Sequence, residues 1–140
     1  MISGFPAVVE LPVQWGDQDL FAHVNNTVYF RWFESSRVDY WTSSGLHDLM
    51  HPQGLGPILA SVKCDYKKQI RFPDTIWVGA KVKKMGISSV TLEHAVFSRN
   101  NDSISAVGES VIVLFNYENQ HPIPIEGEIR RAFDQFEASA

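Results

Sequence analysis

The stretch from Asn25 to Ser44 constrains this chain more than any other. Stepped at about 100° per residue, Val28, Tyr29, Phe30, Trp32, Phe33, Tyr40 and Trp41 cover more than half of a helix circumference. Arg31, Glu34, Ser35 and Asp39 take most of the remaining arc. A helix so broadly apolar has to be covered on several sides, which suits a helix wrapped by a curved sheet better than one lying on a surface. Gly45, a typical residue just past a helix C-terminus, ends it.

The flanking segments supply the sheet. Ala7 to Trp15 reads as a strand, with Pro12 marking an edge or a bulge because it cannot donate to a ladder. From Gly56 onward the period is two. Ala60, Val62, Cys64 and Tyr66 alternate with Ser61, Lys63, Asp65 and Lys67, and Ile76, Val78, Ala80 and Val82 alternate with Trp77, Gly79, Lys81 and Lys83. Val90 to Val96 and a long segment from Val107 to Phe115 follow, with turns at Pro73-Asp74, Met85-Gly86 and Arg99 to Asp102. One strand, one helix and four consecutive strands predict an α+β antiparallel sheet with the helix on one face, a single domain over residues 1–140 without linker or repeat. Residues 46 to 55 read as a loop. The tail carries a helical stripe of Ile129, Ala132, Phe133 and Phe136, expected to pack.

Between the first strand and the helix a short polar loop delivers Asp17, Asp19, His23, Asn25 and Asn26. Asn is a favoured helix cap, since its side-chain oxygen accepts from the free N–H groups of the first turn. Those N–H groups carry about half a positive charge. The loop therefore sets carboxylates beside a site suited to a developing anion, the pairing that acyl transfer needs. Taken alone, a D-x-D in a turn is more often only a turn.

The wider context changes that reading. Trp15-Gly16-Asp17-Gln18-Asp19, then His23-Val24-Asn25-Asn26, running into Tyr29-Phe30-Arg31-Trp32-Phe33-Glu34, resembles the signature of the 4-hydroxybenzoyl-CoA-thioesterase-like branch of hotdog-fold acyl-CoA thioesterases. Gly45-Leu46 and Phe72 to Ile76 also stand where that family would have them, and the likeness runs from about Val8 to Tyr117. The resemblance implies a hotdog fold and hydrolysis of an acyl-CoA to free acid and coenzyme A. It implies Asp19 as base or nucleophile and the backbone N–H at or next to Asn26 as the oxyanion donor. His23 and Asn25 join them as candidate catalytic residues, although some relatives carry a histidine or an aromatic residue where this chain has Asn25-Asn26. The active unit would be a homodimer or homotetramer with its sites between subunits. Two other readings share the fold, an enoyl-thioester hydratase and a non-catalytic acyl-CoA-binding protein. Hydratases follow Gly-Asp with Asn-Pro, which Gln18-Asp19 does not match.

Charge is unevenly spread. Seven basic and two acidic residues between Lys63 and Lys84 make that segment +5; with −4 overall, the remainder is −9. The segment is either a solvated strand face or a dock for coenzyme A phosphates, the latter built on Lys67, Lys68, Lys83 and Lys84 with Ser88 and Ser89. Nucleic acid is disfavoured by the acidic balance and the lack of a binding motif. The single cysteine excludes an intrachain disulfide and fits a reducing, cytoplasmic setting; Cys64 reads as core. No apolar run reaches membrane-spanning length, no G-x-S-x-G elbow supports a serine hydrolase, and no cofactor is implied. His47 and His51 lack a third ligand, so no metal site is expected.

Overall fold

A computed structural model describes residues 2–140. β1 (Ala7–Pro12) leads through a 3-10 turn (Trp15–Asp17) and a polar loop into α1 (Val28–Ser43). Then come α2 (Leu46–Met50), β2 (Leu55–Tyr66), β3 (Thr75–Met85), β4 (Ser89–Ser98), β5 (Ser103–Asn116), the two-residue β6 (His121–Pro122) and α3 (Gly127–Ala138). The strands form one antiparallel sheet in the order β1-β3-β4-β5-β2, with β6 on β5. The inward positions of β3, β4 and β5 pack around α1, burying Tyr29, Trp32, Phe33, Tyr40 and Trp41 against Ile76, Val78, Val96, Ile112 and Leu114. This is the sheet-wrapped helix expected from the aromatic pattern, and the α+β hotdog fold that the resemblance implied. Among the described residues no helix is long and apolar enough to cross a membrane.

Several expected boundaries move, each for a local reason. β1 stops at Pro12, because Val13 donates instead to Asp74 O and the Asp17 carboxylate caps the following turn through Gln14 N. α1 starts at Val28 instead of Asn25. Asn25 and Asn26 form a turn before it, in which Asn25 Oδ1 accepts from Thr27 N and Oγ1, each at 2.9 Å. Residues 46 to 53 are not a loop but α2 and a 3-10 turn. Gly45, at φ 83°, turns the chain so that Leu46 and Met50, four apart, are both fully buried. In β2 the register shifts between Leu59 and Ser61, so Ala60 is a bulge residue and not an inward position. α3 packs through Phe133, and Tyr40 Oη donates to Glu137 at 2.6 Å.

One polar group sits inside this core. His94 is fully buried and stacks on Phe33 at 4.7 Å between centroids. Its Nδ1 is 3.1 Å from Gly79 O, which can only accept, so Nδ1 carries the proton; Nε2 then accepts from Ser110 Oγ at 2.8 Å. Burial pulls the imidazole down to about 4, partly opposed by its bond to Gly79. In the unfolded chain it protonates near 6.5. Between those values the unfolded state binds the extra proton, so stability falls as pH drops from about 6.5 to about 4, by about 1.4 kcal/mol per unit from this group. Thermal melts across that window should show a steeper fall for the wild type than for His94→Gln.

Candidate active site

The loop between β1 and α1 is a tight, internally bonded structure. Asp19 N donates to His23 O at 2.7 Å, Ala22 N to Asp19 O at 3.1 Å, and Asn25 N to Asp17 O at 2.9 Å. Ala22 takes φ 61°, which closes the tip. Val24, buried at the base, donates to Ile70 O and ties the loop to the segment after β2.

The two aspartates have different surroundings. Asp17 is engaged as a turn cap, its Oδ2 accepting from Gln14 N at 2.8 Å. Asp19 Oδ1 accepts from Phe21 N at 2.9 Å and His23 N at 3.3 Å, while its Oδ2 has no partner among the described residues. One oxygen thus fixes the carboxylate and the other is available. Asp19 opens onto a cleft of about 220 Å³, shared with His23, Asn26, Tyr66, Lys67 and Lys68. His23 Nε2 is buried there without a hydrogen-bond partner, a condition that costs free energy unless something fills it.

At the start of α1, Thr27 N and Val28 N already donate, to Asn25 Oδ1 and Asn25 O. The Asn26 N–H meets no acceptor among the described residues, whereas the Asn26 carbonyl receives the Tyr66 hydroxyl at 2.8 Å. Tyr66 therefore pins the turn that presents this N–H. Sequence reasoning read Tyr66 only as a strand residue; its place at the last inward position of β2 was the available signal. Asn25 is spent on the turn, so it shapes the site without facing it. Tyr29 packs edge-on against Tyr66 at 4.9 Å, and burial pushes its phenol up to about 12.

The remaining candidates separate. Lys67 and Lys68 stand at the cleft, both backbone N–H groups donating to Ser105 O. Lys83 lies further along β3, ion-paired on the outer face with Glu109, which also meets Lys63. Lys84 follows it, and Ser88 and Ser89 form the turn beyond, where Gly86 N donates to Ser89 O. That end of β3 is about 30 Å along the strand from the end beside the Asp19 loop. Within one chain, then, Lys83, Lys84, Ser88 and Ser89 do not join the cleft. Burial pushes the half-buried Cys64 thiol up to about 11, leaving it protonated at neutral pH and a poor nucleophile. His47 and His51 stack at 4.9 Å on an exposed face, and among the described residues no three His, Cys, Asp or Glu side chains converge.

The chain matches the model of the thioesterase-like superfamily over residues 13–133. An uncharacterized Bacillus subtilis protein, YsmA, is 28% identical over 92 residues, which is 66% of this chain and 61% of that one. The Escherichia coli long-chain acyl-CoA thioesterase FadM is 20% identical over 117 residues, 84% of this chain and 89% of that one. A Thermus thermophilus thioesterase crystallised with coenzyme A and zinc superposes with a TM-score of 0.83 at 29% identity, covering 98% of each chain. With a match running from just after β1 into α3, this chain belongs to the thioesterase-like superfamily.

Proposed function

We propose that the protein hydrolyses acyl-CoA thioesters to free acid and coenzyme A at the Asp19 cleft. The observation that carries this reading is the pairing in one cleft of a carboxylate with one anchored and one unpartnered oxygen and a helix-start N–H without an acceptor. The thioester carbonyl oxygen would lie against the Asn26 N–H, where the α1 dipole favours the negative charge that builds up during attack. Asp19 Oδ2 then either takes a proton from the attacking water, or itself attacks the carbonyl carbon to form a mixed anhydride that water hydrolyses to the free acid, restoring the carboxylate. In both routes the C–S bond breaks and coenzyme A leaves as its thiol or thiolate. His23 Nε2, buried in the cleft without a partner among the described residues, would hold the bound thioester or the water. Lys67 and Lys68 would take coenzyme A phosphates, so replacing either by Ala should raise KM more than it lowers kcat, and added salt should do the same.

The active unit in this proposal is at least a homodimer joined through β2. That strand is a sheet edge; Ile58 and Leu59 on it are 37% and 45% exposed, and residues 58–61 at its middle are all exposed. Such an edge is open to pairing. Antiparallel pairing about a two-fold axis sets the Tyr66 end of one copy, with its Asp19 loop, beside the Leu55 end of the other. The test is thiol release from acyl-CoA across a dilution series, with sedimentation run at the same concentrations. Specific activity should fall as the dimer dissociates; a fully active monomer would overturn the shared site.

A further inference from the structure

A second cavity, of about 390 Å³, lies between α1 and the inner faces of β2, β4 and β5. Its walls are mostly apolar, formed by Val38, Trp41, Pro57, Leu59, Leu92 and Ile112, with Thr42 and His47 also lining it, and into them is set one guanidinium, that of Arg37. Arg37 is partly buried, and a cation set against such a wall gains from an anionic partner. Arg37 has five N–H donors, and one of them, on Nη1, reaches a neutral acceptor, Ser110 Oγ, at 2.9 Å. No carboxylate of the described residues lies within 4.0 Å of it.

The acceptor is itself fixed from behind. Gly79 O receives the His94 Nδ1 proton, His94 Nε2 receives the Ser110 hydroxyl, and Ser110 Oγ is thereby turned toward Arg37. A relay running from the backbone of β3 through a buried imidazole holds the guanidinium at the cavity wall, and its other donors meet no acceptor among the described residues. Glu34 is the other charged lining residue, and its field is felt at Arg37 without a direct pair.

We infer that this cavity is a binding site for an organic carboxylate, an apolar body with a single anionic head, and that Arg37 takes the head. A fork of free N–H donors matches a carboxylate in shape and charge, and the wall chemistry matches a hydrocarbon or aromatic body. The ligand has two sources. It is either a free carboxylic acid or the far carboxylate of an acyl group whose thioester lies in the Asp19 cleft of a second copy, and the latter rests on the thioesterase reading above.

Calorimetry with octanoate, and with octanamide as its neutral counterpart, tests the site without any hydrolysis. Octanoate should bind at least about tenfold more tightly than octanamide, the effect of one charge-assisted pair, and Arg37→Gln should erase the difference. Glu34→Gln, at an exposed position, should tighten octanoate and leave octanamide unchanged, because it removes the competing negative charge. If Arg37→Gln does not fold, this second variant decides. Equal affinity for the two ligands, or octanoate binding unmoved by Glu34→Gln, overturns the site. Asp19→Asn should bind octanoate like the wild type, so a failure of the hydrolytic reading is seen separately. A second arm compares turnover of a methyl-ended and a carboxylate-ended acyl-CoA of equal length. Preference for the carboxylate-ended substrate, lost in Arg37→Gln, supports the acyl source, and absence of preference overturns it in favour of the free acid.

Discussion

Asp19→Asn should lower thioester turnover by about 10² to 10⁴, the usual cost of losing a catalytic base or nucleophile, with little change in thermal stability. The substitution suits the loop. The oxygen that accepts from Phe21 N and His23 N survives as the amide oxygen, so the tip of the loop keeps its bonds. Only the unpartnered oxygen is lost as a proton acceptor or nucleophile. Asp17→Asn is the contrasting variant. Its carboxylate serves Gln14 N as a turn cap, a bond the amide oxygen can keep, so it should cost little stability and much less activity. Initial rates and melting curves of both variants, measured together, check the assignment. Near wild-type turnover in Asp19→Asn would sink it.

Gly108→Ala should be the most damaging single methyl group that can be added to the sheet. Gly108 lies on β5 opposite Cys64 and His94, directly beneath the α1 aromatic face. A Cβ there would overlap the Phe33 ring and come within 2.5 Å of Lys63 O, a backbone atom of the neighbouring strand. Phe33 cannot retreat, being fully buried and stacked on His94. Overpacking of this kind costs about 3 kcal/mol or more, and Tm should fall by on the order of 10 °C. Gly16→Ala, where a Cβ meets nothing within 4 Å, should leave Tm nearly unchanged. A small loss in Gly108→Ala would mean that α1 sits less tightly against β5 than described here.

Much of this architecture was legible in the sequence because two patterns agreed. The aromatic circumference of α1 required a wrapping sheet, and the period-two segments supplied four strands of adequate length. What escaped was set by side chains that reach across sequence. The start of α1 at Val28 depends on Asn25 spending its oxygen on Thr27. The helical character of residues 46 to 53 depends on the burial of Leu46 and Met50 under α3, which no local breaker residue discloses. His94 read as one more strand position, although its imidazole is held by partners on β3, β5 and α1.

The candidate site was partly legible for a related reason. Asp19, His23 and Asn26 come from one continuous loop, so their convergence follows from local chain geometry. Lys83 and Lys84 shared only a charge count with Lys67 and Lys68, and strand direction carries them to the other end of β3. The cavity at Arg37 draws on α1, β2, β4 and β5 together, and no spacing in the sequence announces it.

Thiol release from a panel of acyl-CoAs, with purified Asp19→Asn protein as the background, decides whether the Asp19 cleft hydrolyses thioesters. The wild type should turn over at least one acyl-CoA saturably, about 10² or more above that background. Binding of acyl-CoA with no turnover across the panel, or equal turnover by the two proteins, would contradict that expectation.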